Sequence, residues 1–419
     1  MIMNLKFFLT AGLALSLSLI ATSCSKKEEE TLNSLIGSIN KTLYVSTGSC
    51  NSGTGITTYT TTATRTVEQF LLESGIHLGT LIDYNYAGTF AAATHPKNVV
   101  DNGDSLFILN ENATTTSERK IIKVPKTNPL SFTNYYSNAT VLSGAMVGLT
   151  IDNEGSMLIG KTTAIEKINT TPIRIPAGTN PWVNAPGGAC ATSTTFISNV
   201  VALPPASGIT TGRIIFTHQG ATAVANRIGI IAHTGYYSTA DCLNGVQISS
   251  VTHTKASNLT SGTVAFNTNG TSPTSMAYIP YTSGTITGKL VVSYANGQTS
   301  NNNAGVYNLN HGLVIWDISE TSTTATLTNP IVLYDNTSYV FGISAMAYDG
   351  ESGYLYVATA GEPGAVNQTT NSYGYNIEKF SLTFNASGAP QLTRLLYNNQ
   401  PFIKGGAYTK CVSGLTIGK

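Results

Sequence analysis

Charge is scarce in this chain. Asp, Glu, Lys and Arg make up only 10% of its 419 residues and nearly cancel, leaving a formal net charge of +1. A basic face that could neutralise a run of phosphates is missing, so nucleic acid is not an expected partner. Beyond the N-terminal segment there are no Ala-, Leu-, Glu- and Lys-rich stretches of the kind that build helices. The six histidines, His77, His95, His218, His233, His253 and His311, show no ligand spacing and no HExxH pair. No GxSxG elbow is present, and Gly361–Gly364 (GEPG) opens no helix, so it is not a phosphate loop. Neither a metal nor a cofactor is expected. Disorder is also a poor description, because 41% of the residues are hydrophobic while the net charge is close to zero. What remains is short apolar runs separated by Thr, Ser, Asn and Gly, the composition of an all-β protein.

Residues 1–23 read as a secretory leader. Lys6 supplies the charge, Phe7–Ile20 the apolar stretch, and Ala21-Thr22-Ser23 the small residues ahead of Cys24. The apolar run is too short and too terminal for a spanning helix. A cysteine directly after small residues, then a polar tail (SKKEEETLNS), resembles the lipobox of bacterial lipoproteins, with Ala21 in place of the usual Leu. That resemblance implies lipidation of Cys24, a flexible tether over residues 24–40, and export to the cell envelope, at the outer membrane or cell surface. Two or more acyl chains on one cysteine are what stable anchoring requires. An ordinary signal peptide cut near Ser23 or Cys24 is the alternative.

Residues 41–419 carry a recurring pattern: an apolar run, a turn, a second run, then a third and usually a fourth. Val147–Ile159 (VGLTIDNEGSMLI) and Ala345–Val357 (AMAYDGESGYLYV) show its first half clearly. Five units begin near Asn98, Leu149, Val200, Met276 and Met346. The first-to-second turns carry Asp and Gly at matched places: Asp101-Asn102-Gly103, Asp152 to Gly155, and Asp349 to Gly353. Asp bonds its own turn and Gly supplies positive φ, so these acidic turns read as hairpins and not as calcium loops. A sixth unit forms only if the last run, Val412–Ile417 (VSGLTI), pairs with the first, Leu43–Ser46 (LYVS). Four antiparallel strands per unit, closed by the two chain ends, describe a six-bladed β-propeller, and closure removes the exposed sheet edges. The one stretch able to supply a seventh blade is Ser249–Pro273, through Thr263–Phe266.

The DNxG-type turn before an apolar strand resembles the NHL and SMP-30-like six-bladed propellers. Lactonase-like relatives in that group hold a metal with carboxylates and amides at the axial mouth, near the starts of the inner strands. The corresponding positions here are His95 to Lys97, Val147 and Gly148, Ser198 and Asn199, Thr274 and Ser275, Ser344 and Ala345, and Ser413 and Gly414. They are small and mostly neutral, suited to a wet channel and unsuited to a divalent ion. His95 and His218 share one face in this scheme and read as surface histidines.

With Cys24 set aside, Cys50, Cys190, Cys242 and Cys411 remain in an exported setting, and an even number favours two disulfides. Cys50 follows the second strand of the closing unit and Cys411 precedes its first strand, which places both on one face of one blade. A Cys50–Cys411 bridge is therefore expected, worth on the order of 5 kcal/mol for so long a loop. Cys190–Cys242 follows by elimination.

Three loops between second and third strands are long and belong to adjacent units: 47–64, 295–312 and 359–376. Their Asn, Gln and Tyr content, including Tyr307, Tyr373 and Tyr375, suits a sugar, peptide or protein surface. Together with Asn199 at the axis, these residues are the candidate ligand contacts; no catalytic set is found. The expected function is a lipid-anchored envelope module that binds a protein, peptide or glycan without chemistry. The alternative is a metal-dependent lactonase or hydrolase of the six-bladed type.

Overall fold

The computed structural model describes residues 41–418, apart from 49–64, 87–88, 92, 113–114, 139, 143–145, 162–163, 176–181, 185–195, 206–212, 220–225, 233–244, 260–262, 265–270, 297–311, 322–324, 336–342, 360–375, 407 and 410. The chain is a six-bladed β-propeller. From axis to rim, blade one comprises His95–Asp101, Ser105–Glu111, Lys120–Pro125 and Thr133–Ser137. Blade two comprises Met146–Ile151, Met157–Lys161 and Ala164–Ile168, with short outer pieces Arg174–Ile175 and Val183–Asn184 both pairing the third strand. Blade three comprises Phe196–Ala202, Arg213–Gln219, Arg227–Ala232 and Val246–Gln247. Blade four comprises Thr271–Ile279, Gly288–Asn296, Gly312–Glu320 and Ala325–Asp335, and blade five Ala345–Asp349, Tyr354–Ala358, Ile377–Phe384 and Pro390–Leu395.

Blade six is made from both chain ends. Val412–Gly418 is its innermost strand, followed outward by Thr42–Thr47, Thr66–Leu71 and His77–Asp83. The register sets Leu43 opposite Ile417, Val45 opposite Leu415 and Ser46 opposite Gly414. Each innermost strand lies against the next around the axis, and the sixth returns to the first. The ring is closed.

The six expected blades are formed, and the stretch 249–273 does not supply a seventh. His253–Lys255 runs parallel to the outermost strand of blade four, and Thr263–Val264 pairs beyond it, so this stretch widens blade four at the rim. Ladders of two residue pairs each are too short to carry a blade with its own apolar face.

The core is not central. Among the described residues, six apolar clusters occupy the six interfaces between neighbouring blades. The cluster joining blades six and one, for example, sets Tyr44 and Val67 against Val99, Leu106 and Ile108. Alternation along each strand sends one set of side chains into each flanking interface, so both faces of a blade are apolar. Each interface also carries a polar strap. Tyr84 donates to Asn110 Oδ1 (2.6 Å), Tyr135 to the Asn169 carbonyl (3.0 Å) and Asn153 to the Leu203 carbonyl (2.6 Å). Arg213 donates to the Thr321 carbonyl (3.2 Å), Asn258 to the Leu392 carbonyl (3.1 Å), and Lys41 Nζ to Asp349 Oδ1 (2.7 Å).

The acidic turns do hairpin work. Asp152 Oδ1 accepts the amides of Glu154 (2.9 Å) and Ser156 (2.8 Å), and Asp349 Oδ2 accepts the Ser352 hydroxyl (2.6 Å). Each turn aspartate also has a lysine: Lys126 at Asp101, Lys167 at Asp152 and Lys41 at Asp349. These carboxylates are committed to backbone and ammonium partners within the ring.

Candidate functional site

A cavity of about 170 Å³ opens on the axis, lined by the innermost strands of all six blades. Its polar side chains are Asn98, Thr150, Asn199, Ser275, Ser344 and Ser413. A shared backbone device presents these groups. The innermost strands of five blades change register near their starts, between Pro96 and Asn98, Met146 and Gly148, Ile197 and Asn199, Pro273 and Met276, and at Val412–Gly414 opposite Thr47 and Ser46. A bulge bends the strand and re-aims the side chain beside it. Crowding at the axis sets the residue types. A Cβ on Gly148 would lie 3.2 Å from the Val200 nitrogen, and one on Gly414 would lie 2.8 Å from Asn98 Oδ1.

The two axial asparagines are used alike. Asn98 Oδ1 accepts the Val99 amide (2.8 Å), and Asn199 Oδ1 accepts the Val200 amide (2.7 Å). Their oxygens are thereby engaged by the backbone, and Asn199 Nδ2 extends to Ser275 Oγ at 3.4 Å. Ser413 Oγ donates to the Pro96 carbonyl (2.9 Å) and joins blade six to blade one.

Asn199 and Ser275, Ser344, Ala345, Ser413 and Gly414 line the cavity at the positions the sequence indicated. Thr274 does not; its hydroxyl turns into blade four, 2.6 Å from Ser293 Oγ. In blade one the lining begins at Asn98 instead of His95 to Lys97, because the bulge after Pro96 shifts the strand. His95 and Lys97 instead meet Glu111 on the next strand, at 3.4 and 3.3 Å. In blade two the described lining is Leu149 and Thr150 and does not include Gly148. Asn98 had a signal: Asn98-Val99-Val100 repeats Asn199-Val200-Val201. Tyr307, Tyr373, Tyr375, Cys24, Cys50, Cys190 and Cys242 lie outside the described residues.

Among the described residues lining the cavity, none is Asp, Glu, His or Cys. Among the described residues generally, no group of three such side chains is placed to hold a metal. A hard divalent cation takes six to eight oxygens, usually with carboxylates. The two amide oxygens at the axis are already accepting backbone N–H bonds, so this donor set does not fit such an ion.

No family profile matches the chain, and no curated protein is detectably similar to it in sequence. Solved structures resemble it in fold. A protein of unknown function from Bacteroides caccae aligns at a TM-score of 0.45 with 9% identity, over 90% of this chain and 99% of that one. A gluconolactonase from Xanthomonas campestris aligns at 0.39 with 8% identity, over 72% and 78%. A Bacteroides uniformis protein provisionally described as a 6-phosphogluconolactonase aligns at 0.42 with 12% identity, over 86% and 82%. Likeness this distant carries no chemistry; the propeller rests on the chain's own strand pairing.

The histidines are structural where they are described, but His218 is no surface group. It is 1% exposed and packs on Phe216, with ring centroids 4.9 Å apart. His253 is fully buried beside Tyr294, whose hydroxyl lies 3.3 Å from His253 Nε2 and also accepts Trp316 Nε1 at 3.1 Å. Burial pushes both imidazoles down to about 4; Arg227 adds to this at His218, and a bond with the Val251 backbone opposes it at His253. In an unfolded chain these rings take up a proton near pH 6.5, whereas the folded rings resist until about 4. Their contribution to stability is therefore complete above pH 6.5 and is lost as pH falls toward 4. We expect His253→Gln to flatten the loss of urea stability between pH 7 and pH 5 by about 2 kcal/mol. A variant with the wild-type pH slope would contradict a buried neutral His253.

Proposed function

We propose that this chain is an exported β-propeller, held to the cell envelope by lipid on Cys24, that binds a protein, peptide or glycan and catalyses no reaction. The observation that carries this reading is the neutral lining of the axial cavity, where amide and hydroxyl groups from all six blades converge without a carboxylate among the described lining residues. Such groups match the hydroxyls and amides of sugars and peptides, while a cavity of about 170 Å³ admits only a small group or the tip of a larger ligand. The remaining contact area then comes from the rim of the mouth. Gly48, at the root of loop 47–64, packs on this wall: a Cβ there would lie 2.9 Å from Ser413 Oγ. Loops 295–312 and 359–376 spring from the same face of the neighbouring blades, and Tyr307, Tyr373 and Tyr375 are the aromatic contacts we assign to them.

A glycan array and an envelope-protein pull-down with the full chain give the test. Replacing Tyr307, Tyr373 and Tyr375 together by Ala should weaken a confirmed ligand at least tenfold, and unchanged affinity would remove the loops from the site. Stoichiometric calcium or zinc in the purified protein, lost with Asn199→Ala, would contradict a binding module and favour a metal-dependent lactonase or hydrolase.

The same reading includes a disulfide between Cys50 and Cys411. Cys411 is buried at the start of the closing strand, and its carbonyl accepts the Gly48 amide at 3.0 Å, two residues before Cys50. Cys190–Cys242 is the remaining pair. Mass spectrometry of unreduced peptides should recover the Cys50–Cys411 link; a Cys50–Cys190 peptide would overturn both assignments.

A further inference from the structure

The face opposite the loops carries an asymmetry in its outer turns. In each blade the turn from the third strand to the outermost strand lies on the same side as the aspartate turns. Three consecutive blades place an exposed aliphatic side chain in that turn: Ile76 at its end in blade six (60% exposed), Leu130 within it in blade one (89%) and Ile173 at its end in blade two (56%). Leu78, just inside the outer strand of blade six, is 52% exposed. The matching turns of blades four and five read Thr-Ser-Thr-Thr (321–324) and Asn-Ala-Ser-Gly-Ala (385–389), with no large apolar residue. A single exposed Leu or Ile on a protein surface means little. The same turn used in three consecutive blades is an arc along this face; the corresponding turn of blade three, 233–244, lies outside the described residues.

The turns are held in place. Asn169 Oδ1 accepts the amides of Thr171 (3.1 Å) and Ile173 (2.8 Å), and Pro172 precedes the exposed Ile173. Pro129 precedes Leu130 in a short 3-10 turn, where the Ser131 amide and hydroxyl both donate to the Asn128 carbonyl. In blade six the Leu71 amide donates to the Ile76 carbonyl at 2.8 Å. These bonds fix the backbone of each turn around its exposed apolar side chain.

The chain enters the ring on this face. Lys41, directly before the strand Thr42–Thr47, is bound by Asp349 and Glu351 at 2.7 Å each, and its carbonyl accepts the Leu72 amide at 3.0 Å. Ile76 is four residues along from Leu72. Residues 25–40, between Cys24 and this point, span roughly 55 Å at full extension and about 20–25 Å as a flexible chain. A lipid on Cys24 would keep the apolar arc within that reach of a bilayer, where a few shallow insertions become effective because binding is intramolecular.

We propose that Ile76, Leu130 and Ile173, with Leu78, seat this face on the bilayer that holds Cys24, an inference that rests on the lipid-anchor reading above. Seating on blades six, one and two tilts the ring and turns the cavity mouth and its loops away from the membrane. The three turns bring few charges of their own, Glu73 and Lys126 among them, so the contact is with the apolar boundary of the bilayer more than with its headgroup charge.

The lipidated full chain, reconstituted in phosphatidylethanolamine–phosphatidylglycerol vesicles with brominated acyl chains, gives the test. Trp182 and Trp316 are only 2% and 1% exposed, so a surface tryptophan can be read above them. Leu130→Trp and Ile173→Trp should each be quenched at least threefold more than Tyr86→Trp, which sits 73% exposed on the loop face. Equal quenching at the three positions in vesicles that float with the protein overturns the docking and leaves the anchor standing. A chain that does not float with the vesicles overturns the anchor and the docking with it. Self-association abolished by Leu130→Asp, without quenching, overturns membrane seating in favour of a second copy of this chain.

Discussion

Pairing of Thr42–Thr47 with Val412–Gly418 is the constraint on which the rest of the molecule depends. A ring of radial sheets has no stable open form of the same shape, because the blades at a gap would expose an apolar face and an unpaired strand edge. The closing ladder runs across six residue pairs, from Thr42 opposite Gly418 to Thr47 opposite Val412. Each hydrogen bond in it contributes a net of about 1 kcal/mol. Burial of Leu43, Val45, Val412 and Leu415 contributes more, at roughly 1.5–3 kcal/mol for each side chain. The closure is thus mainly an apolar contact with blade five, with Tyr44 and Val67 facing blade one, and the ladder supplies its register.

Register at the closure decides what lies on the axis. Bringing six innermost strands together leaves room for small side chains only, and the strands respond with bulges at their starts and with glycine where neighbours touch. Gly148 and Gly414 stand where the next strand leaves no space for a Cβ. The hydroxyls of Ser46 and Ser413, 3.1 Å apart, tie the closing strands to each other, and Ser413 ties them to Pro96 of blade one. Construction of the ring and chemistry of the cavity are therefore not separable. The same short polar groups that let the strands meet are the ones a ligand would encounter.

Much of this was legible in the chain. Six units, their order and the pairing of the two ends follow from apolar runs and matched Asp–Gly turns, because those features report local hairpins directly. Bulges were not legible. They shift a strand by one residue without changing its composition, so blade one was expected to present His95 to Lys97 and instead presents Asn98. The stretch 249–273 carries apolar residues in strand-like spacing, yet it lacks the two-sided pattern of a blade and adds to the rim of blade four. His218 looked like a strand-end surface residue. It is buried beside Phe216, which lies in the cluster between blades two and three, and such burial is a long-range property. The apolar arc of the lower face is visible in the sequence only once the turns are placed on one side of the ring.

Hydrogen exchange at the two chain ends tests ring closure most directly. Peptides covering 41–47 and 411–418 should exchange as slowly as the central strands of blade four and lose protection with them in one cooperative step as denaturant rises. Rapid exchange in either terminal peptide, with blade four still protected, would mean that the ring is open at blade six.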